Sequence, residues 1–305
     1  MVAVTLVASP WAVAGEKEWK EHMDAGLASV KAGDHLGAAI RFQAAAREAR
    51  FFGEQDPRYA VSLYRLAVAY HQLGRYAEAE PLYKQALALT TKIHGPQHPF
   101  VATQLNDYAM MYMEQGQHAF AEPLFKRLLA LQEKSAGPDS LAVATTLNNL
   151  AELYREQGLN QLAIPMYHRA LRISENRLGA GHPDVATELN NLALAYAAQS
   201  RFFEAEPLYQ RSIAIREKIY GRDHPRVATV LNNLADMYRA QARYAEAEKL
   251  YLRAVGINEK ALGPNNPDLA TMLENLAKLY QVQDRKAESE AALERAKKVR
   301  QKPPA

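Results

Sequence analysis

From residue 54 onward, apolar positions recur in two alternating sets with helical spacing. In residues 180–221 the first set is Leu189, Leu192, Ala193 and Tyr196, at i, i+3, i+4 and i+7. The second set is Ala205, Leu208, Tyr209 and Ile213. The first returns as Leu147, Leu150, Ala151 and Tyr154, and again as Leu231, Leu234, Ala235 and Tyr238. Each set predicts one amphipathic helix, A and then B. Between them stand Gly74, Gly116 and Gly158, where glycine closes a helix at positive φ. Later copies place Ser200, Ala242 and Asp284 there, so the turn forms without glycine. A His-Pro pair (His98-Pro99, His182-Pro183, His224-Pro225) opens helix A, because proline loses nothing in a first turn.

Aligning Gly95, Gly137, Gly179, Gly221 and Gly263 gives a constant step of 42 residues. The units are 54–95, 96–137, 138–179, 180–221, 222–263 and 264–305, with a degenerate first copy in 15–53. Helix A is expected over about positions 5–20 of each unit and helix B over about 23–40. A second proline (Pro81, Pro123, Pro165, Pro207) falls within helix B. Starting the helix at that proline would strand Ala79 and its equivalents outside the packing. A helix that starts earlier and bends there is expected. In 264–305, Leu293 replaces the tyrosine, Ala291 the proline, and charges crowd helix B, which reads as a capping repeat.

The order Leu-Asn-Asn-Leu-Ala-x-x-Tyr, a turn, then Ala-Glu-Pro-Leu-Tyr resembles the tetratricopeptide repeat. The 42-residue period with His-Pro-x-x-Ala-x-x-Leu-Asn-Asn-Leu-Ala is similar to the kinesin-light-chain variety. The ordinary repeat has 34 residues, and the difference adds about one turn to each helix. The resemblance implies an all-α fold: an α-solenoid, a right-handed superhelix of antiparallel helix pairs in about seven repeats. It also implies that helix A lines a concave groove, and that the protein binds peptides or partner proteins without doing chemistry.

With the apolar set of helix A facing the core, the opposite arc carries a ladder of asparagines: Asn148 and Asn149, Asn190 and Asn191, Asn232 and Asn233, and Asn275. Asn106 and Asp107 take the same place one unit earlier. Glu152, Arg155, Asp236, Arg239 and Lys278 share the arc. A side-chain amide both donates and accepts, which suits an extended peptide backbone. Alternatively, one asparagine of each pair bonds a neighbouring helix. Four basic residues against six acidic ones on these arcs make the groove mildly acidic, a poor match for a phosphate backbone.

Composition narrows the chemistry. The chain has 37 Lys and Arg against 34 Asp and Glu, with bases and acids interspersed, so no nucleic-acid patch is expected. With no cysteine, it has no disulfide, thiolate metal site or cysteine nucleophile. His98, His182 and His224 lie one repeat apart, whereas metal ligands must converge, so they read as caps. No phosphate-binding, nucleophile-elbow or zinc-protease motif occurs. No apolar run is long enough to span a membrane. A non-catalytic interaction scaffold without cofactor or metal is expected; the alternatives are a structural solenoid that self-associates and, third, an enzyme site carried on the groove, for which no nucleophile–base constellation stands in the sequence. Residues 1–14 are apolar and end in Ala12-Val13-Ala14, followed by charge. They read as the later part of a secretory signal, implying a secreted or periplasmic protein, or as an apolar tail on a cytoplasmic one.

Overall fold

The computed structural model describes residues 10–301, and among the described residues every regular element is a helix. Of the segment 1–14, residues 1–9 lie outside the described residues. The helices are α1 (Pro10–Lys31), α2 (His35–Phe51), α3 (Pro57–Gln72), α4 (Tyr76–His94), α5 (Pro99–Glu114), α6 (His118–Ala136) and α7 (Leu141–Glu156). They continue as α8 (Asn160–Leu178), α9 (Pro183–Ala198), α10 (Phe202–Tyr220), α11 (Pro225–Ala240), α12 (Tyr244–Leu262), α13 (Pro267–Val282) and α14 (Lys286–Gln301). Odd-numbered helices from α3 are the A helices and even-numbered ones the B helices. The chain forms two compact units, one up to Pro138 and one from Asp139. Each is an all-α solenoid of stacked helical hairpins.

Helix A begins one residue earlier than its periodicity suggests, because the residue before the proline caps it. His98, His182 and His224 accept the N–H two residues on at their Nδ1 atoms, at 3.2, 3.2 and 3.1 Å. Asp56 and Asn266 do the same with carboxylate and amide oxygens at 2.9 Å, and the Ser140 hydroxyl accepts the N–H three residues on, from Val143, at 3.4 Å. A histidine that accepts at Nδ1 serves as a cap. The ring of His94 stacks on His98 at 4.5 Å, and Tyr220 stacks on His224 at 4.8 Å. An aromatic without metal affinity thus does the same work as His94.

Helix A ends alike in every repeat. Tyr70, Tyr112, Tyr154, Tyr196, Tyr238 and Tyr280 each give their carbonyl to the N–H five residues on. The turn residue is left-handed throughout, at φ 75° in Gly158 but also 56° in Ser200, 57° in Ala242 and 58° in Asp284. A Cβ on Gly158 would meet nothing within 4 Å. Only the torsional strain of about 1–2 kcal/mol opposes the side chains that replace it. Helix B then starts five residues before Pro81, Pro123, Pro165 and Pro207, which lie inside it.

The tyrosine stripe is spent on joining repeats. Tyr112, Tyr238 and Tyr280 donate to Glu80, Glu206 and Glu248 of the preceding B helix at 2.9, 2.8 and 3.1 Å. Arg243 and Arg285 stack over Tyr238 and Tyr280 and donate to the same two glutamates. Beneath them, Tyr83, Tyr167, Tyr209 and Tyr251 of the B helices are fully buried. Neither face of a single hairpin can be covered from within, so each depends on its neighbour.

Candidate functional site: the helix A face

In the second unit the asparagines bond one another from repeat to repeat. Asn191 Nδ2 donates to Asn148 Oδ1 at 3.1 Å, Asn233 to Asn190 at 3.0 Å, and Asn275 to Asn232 at 3.3 Å. The second asparagine of one A helix thus reaches the first asparagine of the A helix before it. Asn190 also donates to Asn191 at 3.3 Å. Asn190, Asn232 and Asn275 are buried, which departs from the solvated arc that the helical wheel assigns them. Asn148, Asn149, Asn191 and Asn233 are half-buried. Each amide has two donor hydrogens and two acceptor lone pairs. The inter-repeat bonds therefore leave part of that capacity unused.

Beside this ladder lies a row of threonines, Thr145, Thr187, Thr229 and Thr271, exposed once per repeat. Thr145, Thr187 and Thr229 donate to the carbonyl four residues back at 3.1–3.3 Å, leaving the oxygen free to accept. Thr187 already accepts from Arg216 at 3.3 Å.

The charges on this face are internally paired. Arg155 donates through Nε to Glu152 at 2.9 Å, and Tyr167 donates to the same carboxylate at 2.6 Å. Burial pushes the Glu152 carboxyl up, but the Arg155 guanidinium and Tyr167 hydroxyl outweigh it and hold it below the ordinary range. Arg239 pairs with Asp236 at 3.1 Å, and Tyr251 donates to Asp236 at 2.7 Å. Between them, Leu194 occupies the matching position, and the buried Tyr209 hydroxyl has no partner. Lys278 donates to Asn275 at 3.1 Å, and Glu274 binds Arg300 at 2.9 Å. The acidic excess counted on the sequence is thus largely neutralised within the second unit.

The first unit fills the same register differently. Tyr64 donates to Asp107, which also accepts from Asn106 at 3.2 Å. His71 bridges Tyr83 at 3.2 Å and Glu114 at 2.8 Å. Tyr83 stacks on Tyr108 at 5.4 Å. Buried aromatic rings, not an amide ladder, make the joints of that unit.

One residue escaped the sequence reading. Glu188 on α9 is buried, accepts from Ser174 Oγ at 2.7 Å, and leaves its Oε2 without a partner. Its counterparts are Gln104, Thr146, Val230 and Met272, all neutral and all buried. A charged side chain in a buried column was the available signal. Among the described residues, no group of three or more His, Cys, Asp or Glu could hold a metal ion. No helix among them is long and apolar enough to cross a membrane.

Comparisons with known proteins agree with this geometry. The tetratricopeptide-repeat family model matches residues 22–92, 59–134, 100–176, 143–202, 184–260 and 230–302. No curated protein matches the chain. Among solved structures, BtubC (BKLC) from P. vanneervenii is 25% identical, covering 75% of this chain and 91% of that one, with a TM-score of 0.61. A putative kinesin light chain from Podosopora anserina, with nearly identical TPR-like repeats, is 27% identical over 67% of this chain and 97% of its own, at TM-score 0.58. The apo quorum sensor NprR from B. thuringiensis shares the fold at 18% identity, over 93% of this chain and 77% of its own, at TM-score 0.74.

Proposed function

The chain belongs to the tetratricopeptide-repeat family, and on that premise we propose that it is a non-catalytic scaffold whose helix A face in the second unit receives an extended segment of a partner protein. The observation that carries this reading is the threonine row beside an amide ladder with unused hydrogen-bonding capacity. Packed helices lie about 8–10 Å apart, and an extended chain advances about 3.3 Å per residue. About every third residue of such a segment would meet one repeat. Groups that bond a backbone tolerate varied sequence, and the internally paired charges leave little long-range field to select a strongly charged partner.

The absence of cysteine provides the test, because a single introduced thiol labels one position. Random short peptides are first selected against the full chain. A bulky maleimide on Thr229→Cys should block their binding, while the same label on Lys249→Cys, exposed on helix B, should not. Equal binding by both labelled proteins would remove the partner from this face. Light scattering on the unlabelled chain addresses the alternative. A concentration-dependent rise in mass that persists without peptide would favour self-association.

A further inference from the structure

A cavity of about 270 Å³ opens on the helix A face between α7, α8 and α9, lined by Leu141, Leu178, Thr145, Asn148, Asp184 and Glu188. Resting on the binding role proposed above, we propose that this cavity is a specificity pocket for a lysine side chain of the bound segment.

The argument starts at Glu188. Its side chain is 94% buried, being 6% exposed, and its Oε2 has no hydrogen-bond partner. Ser174 occupies the other oxygen. A buried carboxylate oxygen without a donor is costly, and a cation with N–H groups is the partner that removes the cost most fully. The free acceptor is single. A guanidinium binds best through two parallel bonds to both carboxylate oxygens, whereas an ammonium is a compact charge that needs separate acceptors in several directions. Glu188 Oε2, the Thr145 hydroxyl oxygen and the Asn148 carbonyl oxygen provide them. Thr145 and Asn148 each use only part of their capacity on Leu141 O and Asn191 Nδ2. Leu141 and Leu178 supply apolar wall for an aliphatic stem.

The surrounding charges agree, apart from Arg216, a cation bonded to the cavity-lining Thr187. α7 faces the cavity with Leu141, Thr145 and Asn148, none of them ionisable. α8 brings Glu175, which is paired with Arg211 at 2.6 Å. α9 brings Asp184, with His182 at 3.6 Å. α10 brings the buried Arg216, bonded to Thr187 and to the Arg226 carbonyl. With no cation at Oε2, burial pushes the Glu188 carboxyl up to about 7, with Asp184 and Glu175 adding to the rise and the Ser174 hydrogen bond opposing it. An arriving ammonium favours the ionised form. Lysine binding therefore expels a proton and weakens as the pH falls below that value.

The test uses the full chain and fluorescent peptide pools with degenerate flanks and a fixed central residue: lysine, arginine, norleucine or Nε-acetyl-lysine. The expected result is that the lysine pool binds about tenfold tighter than the norleucine and acetyl-lysine pools, with the arginine pool between. The lysine preference should shrink between pH 8 and pH 5.5, both values chosen about the Glu188 range. Glu188→Gln, which resembles the protonated carboxyl and so spares the fold, should abolish the preference. Equal binding of the lysine and norleucine pools overturns this pocket and leaves the groove reading standing. A lysine preference that survives Glu188→Gln also overturns it. Tighter binding of the arginine pool overturns the choice of ammonium. Failure of every pool to bind overturns both readings.

Discussion

The two units solve the same packing problem with different chemistry. Where an A helix meets the A helix before it, the first unit uses a phenol and a carboxylate, Tyr64 to Asp107. The second uses asparagine on asparagine, three times over. Where an A helix meets the B helix before it, the first unit pairs Gln104 with Thr90 at 3.0 Å, both neutral. The second pairs Glu188 with Ser174. These slots are joints between repeats, and any complementary polar pair can fill them. What distinguishes the second unit is the chemistry its pairs leave over: spare amide capacity along the ladder, and at Glu188 a buried carboxylate oxygen without a partner where Gln104 leaves a neutral amide oxygen.

The largest expected effect comes from breaking the amide joint. Removing one member of a buried hydrogen-bonded pair costs about 1–3 kcal/mol, because the other is left unsatisfied. Asn233→Ala with Asn275→Ala should therefore destabilise the protein by that amount for each bond, read as a lower urea midpoint by circular dichroism. Tyr64→Phe in the first unit should cost less, because Asp107 is half-buried and keeps Asn106. An unchanged midpoint for the double asparagine variant would mean that the amides do not join the repeats.

The next effect separates the units by pH. Glu188 carries a carboxyl raised to about 7 in the fold, from an ordinary value near 4.5 in the unfolded chain. The folded state then holds more protons than the unfolded state between these values, so stability falls as pH rises through that window. The loss should be on the order of 3 kcal/mol at most. Gln104 offers the first unit no such dependence. Melts from about pH 5 to pH 8, covering most of that window, should show wild type losing stability relative to Glu188→Gln, whose own curve rises as His168, held below the ordinary imidazole range by burial and by Arg201, sheds its proton. A wild-type curve that parallels the Glu188→Gln curve would contradict the assignment.

The smallest effect lies within the second unit. Tyr167 and Tyr251 donate to Glu152 and Asp236, while Tyr209, under Leu194, donates to nothing. Tyr167→Phe and Tyr251→Phe should each cost about 0.5–1.5 kcal/mol. Tyr209→Phe should be neutral or slightly stabilising. A cost at Tyr209 equal to the other two would show that its hydroxyl has a partner.

Most of the fold was readable because each slot recurs at a 42-residue step. A leucine or tyrosine at one position is weak evidence, but the same residue in successive copies fixes the helix face. The caps were legible for the same reason, since His98, His182 and His224 precede a proline each time. The joints were not legible. A helical wheel gives the direction of Asn190 or Asn232, but not the distance to the next A helix, and that distance turns an apparent solvent face into a buried bond. Glu188 was harder still, because it appears in one repeat and repetition offers no clue. Its meaning depends on Ser174 from another helix and on burial that only packing creates.

The most direct test of the account is a binding titration of Thr145→Val, Thr229→Val and Thr271→Val combined, against peptides selected on the wild-type chain. These threonines are exposed, so the melt should stay within about 0.5 kcal/mol of wild type. Lost hydrogen bonds of about 0.5–1.5 kcal/mol each should weaken binding by about tenfold to a thousandfold. Full-strength binding by the well-folded triple variant would contradict the claim that the helix A face of the second unit holds the partner.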